Sequence, residues 1–287
     1  MHPLLAELLD LLRLEPLEAN LFRGRCQDLG WGAVFGGQVV GQALSAAEQT
    51  VEADRPVHSL HGYFLRQGAV DRPIVYEVDR IRDGKSFTTR RVVAIQGGEA
   101  IFSLSASFQR VEPGYEHQAT MPEAPDPDGL LSELELARRV TDRIPPKLRS
   151  FALAERPIEI RPVDPDNPLA PRSREPVRMS WYRAMDRLPD DPSIHLYLLA
   201  YASDFNFLVT AMQPHGVSLL SPQMQVASLD HAMWFHRPFR FDDWLLYVVD
   251  SPNAGGARGL VRGQFFSRTG ELVASCVQEG LMRTRTR

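Results

Sequence analysis

The 287-residue sequence predicts an α+β fold of two tandem units, each an antiparallel sheet wrapped around one helix. Three observations carry this reading. First, the chain repeats itself. The stretch that opens "PVHSLHGYFLRQG" at Pro56 matches in pattern the stretch that opens "QVASLDHAMWFHRPF" at Gln225. Ser59-Leu60 falls on Ser228-Leu229, Phe64 on Phe235, Tyr76 on Tyr247, Arg91 on Arg262 and Ser107 on Gln278. Second, runs rich in Val, Ile, Phe, Tyr and Leu alternate with the turn signals "RDGKS", "QGGEA", "SPNAGG" and "SRTGE", which reads as an antiparallel meander in each half. Third, each half carries a helical segment with almost no polar face, and such a helix has to be covered on all sides.

The elements follow in chain order. "MHPLLAELLDLLRLEPLEANLF" reads as a short amphipathic helix, and the acidic residues inside its apolar pattern argue against a signal peptide. "FGGQVVGQALSAAEQTV" (35–51) is the first apolar helix, and with the strands after it completes a unit over 1–111. From 112 to 176 the composition changes, and most of the 22 prolines fall in or just beyond this stretch. Proline interrupts helix interiors and central strands alike. This stretch is therefore read as a connector lying across the sheet, with one short helix at "LLSELELARRVTDRI" and an edge strand at "PIEIRPV". The second unit, 177–287, opens with the strand "RMSWYRAM", continues into the helix "YLLAYASDFNFLVTAM" (197–212) and ends in the repeated strands.

Composition narrows the partners. Hydrophobic residues make up 44% and charged residues 24%, with a net charge of -4. That balance favours neither nucleic acid nor an anionic membrane as the main partner. No apolar run approaches the roughly 20 residues a membrane helix needs. The two cysteines, Cys26 and Cys276, form no CxxC pair and no metal-ligand spacing. Nothing activates either one in the sequence, so both read as structural thiols. A reducing cytoplasm is the expected compartment, and the closing "RTRTR" is not a peroxisomal address.

Asp204 is the residue that the pattern does not absorb. On a helix its face is shared with Ala200, Tyr201, Phe207 and Leu208. A buried carboxylate without partners costs several kcal/mol or changes its protonation. Either Ser203, Asp204, Asn206 and Thr210 form a wet edge, or Asp204 points into a site. Other candidates carry less. "FGGQVVGQ" lacks the Lys-Ser/Thr of a phosphate loop and the spacing of a dinucleotide fingerprint, so its glycines read first as close helix–sheet packing. Asp230 and His231 are neighbours on a strand, point to opposite faces and cannot act as one dyad. His58 and His61 read as ordinary strand or turn residues, and His236 has no partner in the pattern.

Taken together and in order, the strings "LFRG", "VFGGQVVGQAL", "VHSLHGYFLR", "RDGKSF", "RRVVAIQ", "YASDFNFL", "DHAMWFHRPF", "WLLY", "ARGLVRGQF" and "VASCVQEGLMR" closely resemble those of the type II (TesB-type) acyl-CoA thioesterase family. The resemblance runs from about Leu21 to Arg283. It implies a double hotdog, in which the two units form one continuous sheet. It also implies hydrolysis of acyl-CoA to a free acid and CoA without metal or cofactor, and association of two or more chains. It places the water-holding residues on Asp204, on Ser228 (many relatives have Thr there) and on Gln278. Gly36 or Gly37, at the start of the first helix, would lend a backbone N–H to the thioester oxygen.

The chemistry suits those residues. A carboxylate takes a proton from water more effectively when burial raises its pKa, and Ser and Gln side chains each offer a donor and an acceptor to hold that water. Taken alone, Ser228 is an unremarkable strand serine, and Gln278, sharing a face with Cys276 and Ala274, could be a satisfied core amide. The set includes no histidine, and "QVASLDH" around Ser228 is not a "GxSxG" elbow, so direct attack by water is expected rather than an acyl-enzyme. The first unit, with Ser107 opposite Gln278 and no acid near the centre of its helix, reads as a degenerate site. A hydratase or dehydratase acting on acyl-CoA would need an Asp–His pair facing one substrate, and no such motif stands out. A non-catalytic acyl-CoA-binding module would be favoured by loss of Asp204, Ser228 or Gln278, and all three are present.

Overall fold

The computed structural model describes residues 1–285; the last two residues of "RTRTR" lie outside the described residues. The first half comprises helix α1 (Pro3–Leu12), strands β1 (Glu15–Glu18) and β2 (Leu21–Gly24), helix α2 (Gly36–Glu48), and strands β3 (Val57–Phe64), β4 (Ile74–Asp83), β5 (Phe87–Gln96) and β6 (Glu99–Gln109). Two short helices follow, α3 (Glu133–Arg139) and α4 (Pro146–Ala152). The second half comprises β7 (Ile158–Pro162), β8 (Val177–Ala184), α5 (Pro192–Ala202), α6 (Val209–Met212), β9 (Met224–Ser228), β10 (Asp230–Phe235), β11 (Leu245–Gly255), β12 (Arg258–Ser267) and β13 (Leu272–Thr284).

All strands join one antiparallel sheet in the order β1-β2-β4-β5-β6-β3-β10-β13-β12-β11-β8-β7, with β9 added beside β13. The order reads the same from either end, element for element. The repeat is therefore a two-fold pseudo-symmetry whose axis passes between β3 and β10. Ion pairs mark it: Asp79 on β4 holds Arg91 on β5 at 2.9 Å, and Asp250 on β11 holds Arg262 on β12 in the equivalent place. The expected meander holds for three strands of each half. The fourth, β3 or β10, lies against the last strand rather than the first, because it closes the sheet around the helix and supplies the join between halves.

Along α2, every residue from Gly37 to Ala47 is buried, including Gln38, Gln42 and Ser45. The polar ones are satisfied locally. Gln42 Nε2 donates to the carbonyls of Leu11 and Arg25, and Tyr76 donates its hydroxyl to Gln42 Oε1 at 2.7 Å. The amphipathic α1 buries Leu5, Leu8, Leu11 and Leu12 against this core. The glycines of "FGGQVVGQ" serve helix–helix rather than helix–sheet packing. A Cβ on Gly37 would stand 2.2 Å from the Tyr201 carbonyl oxygen, and one on Gly41 would stand 3.1 Å from that of Tyr197. Glycine four residues apart thus lets α2 and α5 run antiparallel in near-backbone contact.

Two other expectations change. The helix read over 197–212 is broken: α5 stops at Ala202, residues 203–208 form turns, and α6 resumes at Val209. Asn206 takes the left-handed backbone conformation, φ 57°, which breaks the helical path where the apolar pattern continued. The connector carries α4 as well as α3, and its strand at 158–162 is the outermost of the second half. Before α3, Met121, Ala124 and Leu130 pack against Trp181, Trp244, Leu246, Phe266 and Leu272 on the outer face of the second half of the sheet, with Trp181 Nε1 donating to the Pro125 carbonyl at 2.9 Å. Among the described residues no helix is long and apolar enough to cross a membrane.

Candidate active site

Asp204 lies in the turn that breaks the helix, not at the centre of one. The break frees the carboxylate to leave the α5 axis and reach the start of α2, in the other half. There Oδ2 accepts the Gly37 N–H at 2.9 Å. The approach is close: a Cβ on Gly36 would stand 2.6 Å from the same oxygen. Both glycines therefore sit where the sequence anticipated, at a helix N-terminus. The Gly37 amide, however, is engaged by Asp204 and is not open to a thioester oxygen, whereas Gly36, the first helical residue, has no intrahelical partner for its N–H.

Gln278 comes from β13, where Ala274, Cys276 and Gln278 alternate on the inward face and are all essentially buried. Its Nε2 donates to Ser228 Oγ at 2.9 Å. Ser228 ends β9 and pairs with Gly280, whereas β10 pairs Ala232 with Val277. Four residues on one strand thus span three on the other, a β-bulge. Without it, Ser228 and His231 would point to opposite faces, three residues apart on a strand. The extra residue brings both to the inner face beside Gln278, and the Asp230 carboxylate fixes the bulge by accepting the Glu279 N–H at 2.6 Å.

His231 is the group that sequence reasoning missed. It is wholly buried, with Nδ1 2.6 Å from Gln278 Oε1 and Nε2 2.9 Å from Ser203 Oγ. The separation of Asp230 from His231 onto opposite faces stands, but the cluster does contain a histidine, and it lies close enough to Asp204 for the two charges to interact. An alternation count alone would have found it, since His231 shares parity with Met233, also wholly buried. Both imidazole nitrogens face partners other than Ser228, so the histidine is not placed as a base for that hydroxyl.

The electrostatics follow from enclosure. Asp204 keeps a small solvent-facing surface, but the protein packed around it pushes its pKa up. The Gln278 and Ser228 side chains and the Gly37 amide oppose that rise, as does His231 whenever its ring is protonated. Burial pushes His231 below the ordinary histidine range despite Asp204 nearby, which keeps the ring neutral. Behind the cluster, Tyr247 stacks on Phe265 at 3.9 Å and donates its hydroxyl to the Ser203 carbonyl at 2.8 Å. Burial holds the Cys276 thiol up at about 12 and that of Cys26 at about 11, so neither is a nucleophile. His58 is bonded to Ser107 and His236 to Ser275, both away from Asp204. No cluster of His, Cys, Asp and Glu among the described residues suits a metal ion.

The register also corrects the repeat alignment. Gln278 stands opposite Val261 and Ala106 stands opposite Arg90, so the counterpart of Gln278 is Ala106, not Ser107. Ser107 faces outward to His58. Val57 opposite Phe108 matches Ser228 opposite Gly280, which makes Val57, not Ser59, the counterpart of Ser228. Leu60 occupies the place of His231.

Two helix-centred units sharing one sheet, with Asp204, Ser228, His231 and Gln278 gathered inside the second, make a double hotdog. The comparisons agree. Residues 27–109 match the family model "Acyl-CoA thioesterase N-terminal domain" and residues 148–281 match "Acyl-CoA thioesterase". The chain is 44% identical over 283 residues to acyl-CoA thioesterase 2 of Haemophilus influenzae, covering 99% of both chains. It superposes on an acyl-CoA thioesterase II from Mycobacterium marinum with a TM-score of 0.79 at 43% identity, covering 97% of this chain and 99% of that one. A protein with a hotdog fold from Alicyclobacillus acidocaldarius matches at TM-score 0.79 with only 18% identity, a likeness of fold alone. The chain belongs to the type II acyl-CoA thioesterase family.

Proposed function

We propose that this chain hydrolyses acyl-CoA to a free acid and CoA by direct attack of one water held between Asp204, Ser228 and Gln278. The observation that carries the reading is their convergence: a carboxylate anchored on the Gly37 amide, beside a serine and an amide bonded to each other at 2.9 Å. Asp204 takes a proton from the water as its oxygen adds to the thioester carbonyl carbon. The oxyanion forms at the start of α2, where the Gly36 N–H and the positive end of the helix stabilise it. Collapse of the tetrahedral intermediate breaks the carbon–sulfur bond, and the CoA thiolate leaves and takes up the proton. Ser228 orients the water rather than attacking, because neither nitrogen of His231 is bonded to it.

The test is thiol release from a chain-length series of acyl-CoA substrates, with intact-protein mass spectrometry during turnover of the slowest. Thiol release by the wild type, its near-abolition in a folded Asp204→Asn enzyme and a spectrum of unmodified protein are expected. An acyl adduct on Ser228 turning over at kcat overturns the water mechanism. Hydration of an enoyl-CoA without thiol release would instead favour a hydratase, for which Asp204 and His231 would be the acid–base pair. Light scattering tests the association of chains that forms part of the same reading; a 32.3 kDa monomer at micromolar concentration counts against it.

A further inference from the structure

We infer that His231 is a positioning residue that holds the Gln278 carboxamide in one of its two orientations and thereby aims the Ser228 hydroxyl proton at the water beside Asp204. The inference rests on the water-holding reading above. His231 is 0% exposed, and its two nitrogens meet Ser203 Oγ at 2.9 Å and Gln278 Oε1 at 2.6 Å. Ser203 is likewise wholly buried. No solvent reaches this pair, so the ring's hydrogen bonding is decided inside the protein.

A neutral imidazole has one donor and one acceptor, and a carboxamide has one end of each kind. Only two arrangements satisfy the chain. In the first, Nδ1 carries the proton and donates to Gln278 Oε1. The Gln278 NH₂ then donates to Ser228 Oγ at 2.9 Å. Ser203 donates to Nε2, and Ser228 keeps its own proton for the water and Asp204. In the second, Nε2 carries the proton and donates to Ser203, whose hydroxyl donates to the Ala200 carbonyl at 2.9 Å. Nδ1 then accepts from a flipped Gln278 amide, whose oxygen takes the Ser228 proton away from the site.

The first arrangement runs Ser203 to His231 to Gln278 to Ser228, with every donor directed toward Asp204. Hydrogen bonds aligned toward an anion strengthen one another. A charged Asp204 therefore selects the Nδ1–H form, and that form in turn steadies the carboxylate as a base. The first half shows what the site is without this device: Leu60 fills the place of His231, wholly buried and well packed.

The test compares His231→Leu, His231→Asn, Gln278→Ala and the His231→Leu/Gln278→Ala double variant in the whole protein, by thiol release and by the imidazole ¹⁵N resonances. The leucine variant is expected to keep its cooperative melting and to lose about 10–100-fold in kcat with KM within twofold. Asn places an amide nitrogen near the Nδ1 position and should restore kcat to within about threefold of the wild type. In the Gln278→Ala background the leucine change should cost less than twofold, because the effect passes through Gln278. The wild-type His231 resonances should report the neutral Nδ1–H tautomer at pH 7. An unaffected kcat in His231→Leu beside a lost kcat in Gln278→Ala overturns this inference alone. So does a full multiplicative loss in the double variant, or an Nε2–H tautomer. Undiminished kcat in Gln278→Ala overturns the water-holding reading and this inference together. Should the leucine variant fail to fold, the asparagine variant and the tautomer decide.

Discussion

The two halves are built alike and differ at the places where chemistry would sit. Both carry the same strand order, the same Asp–Arg cross-strand pair and a one-residue slip in the strand facing the partner half. The slip that brings Ser228 and His231 to one face has its equivalent between Val57 and Ser59, so the bulge belongs to the fold, not to the site. At the positions of Ser228, His231 and Gln278 the first half has Val57, Leu60 and Ala106, all buried and apolar. The antiparallel helix pair, with Gly37 against Tyr201 and Gly41 against Tyr197, maps Asp204 onto Leu44, also wholly buried. The difference teaches that the hotdog interior is a core by default. A site is made in it by polar groups that satisfy one another, and filled in by replacing them with aliphatic ones.

The comparison breaks first at Asp204. Asp204→Asn preserves shape and the Gly37 hydrogen bond, and is expected to lower kcat by about 10²–10⁴-fold; thiol-release assays on a variant with unchanged circular dichroism decide it, and near-normal turnover would remove the carboxylate from the mechanism. Next is Ser228. Replacement by Ala should lower kcat by about 10–1000-fold, roughly 1.4–4 kcal/mol of transition-state stabilisation, while Thr, which keeps the hydroxyl, should retain substantial activity. Equal rates in Ser228→Ala and wild type would reduce the residue to packing.

The reverse substitution sharpens the contrast. Leu60→His puts an imidazole among aliphatic side chains with no Ser203 or Gln278 to receive it, at a stability cost of about 1–3 kcal/mol. Thermal melting should register that cost, while kcat per folded molecule stays within twofold of the wild type. A variant that melts like the wild type would show hidden polar capacity in the first half.

The smallest effects are in pH dependence. Because burial raises the Asp204 pKa, the acid limb of kcat/KM should fall at a higher pH than an ordinary carboxylate would give, activity rising as the proton is lost. For stability the sign is opposite: a raised folded pKa gives a contribution fully present below the unfolded value and lost as pH rises through the folded one. Asp204→Asn should therefore melt above the wild type at pH 7, and the gap should close toward pH 4. A gap that widens on acidification would mean the carboxylate is stabilised as an anion.

The sheet was legible in the sequence because each strand announces itself by residues of one parity and each turn by Gly, Asn or Asp. The "YASD" string located Asp204, but not how it is presented. Asn206 breaks the helix by its own backbone conformation in a run whose apolar pattern never falters, so periodicity continued through it. Ser228 and His231 are three residues apart, which alternation alone puts on opposite faces, and a bulge leaves no mark in composition. Ser107 falls on Gln278 in the linear count because the turn between β12 and β13 is one residue longer than the turn between β5 and β6, and one residue in a turn is invisible to pattern matching. Gly36 and Gly37 were placed at the right helix end, yet only the fold tells that Asp204 arrives there first.

That last contact joins residues 167 positions apart and ties the two halves at one atom. The half with aliphatic side chains at these positions furnishes the amide on which the other half's carboxylate rests. A methyl group added at Gly36 would collide with that carboxylate from within the first half. The mouth of α2 is thus held to glycine by a side chain of the other half, and a chain cut between the halves would part Asp204 from the Gly37 amide and β10 from β3.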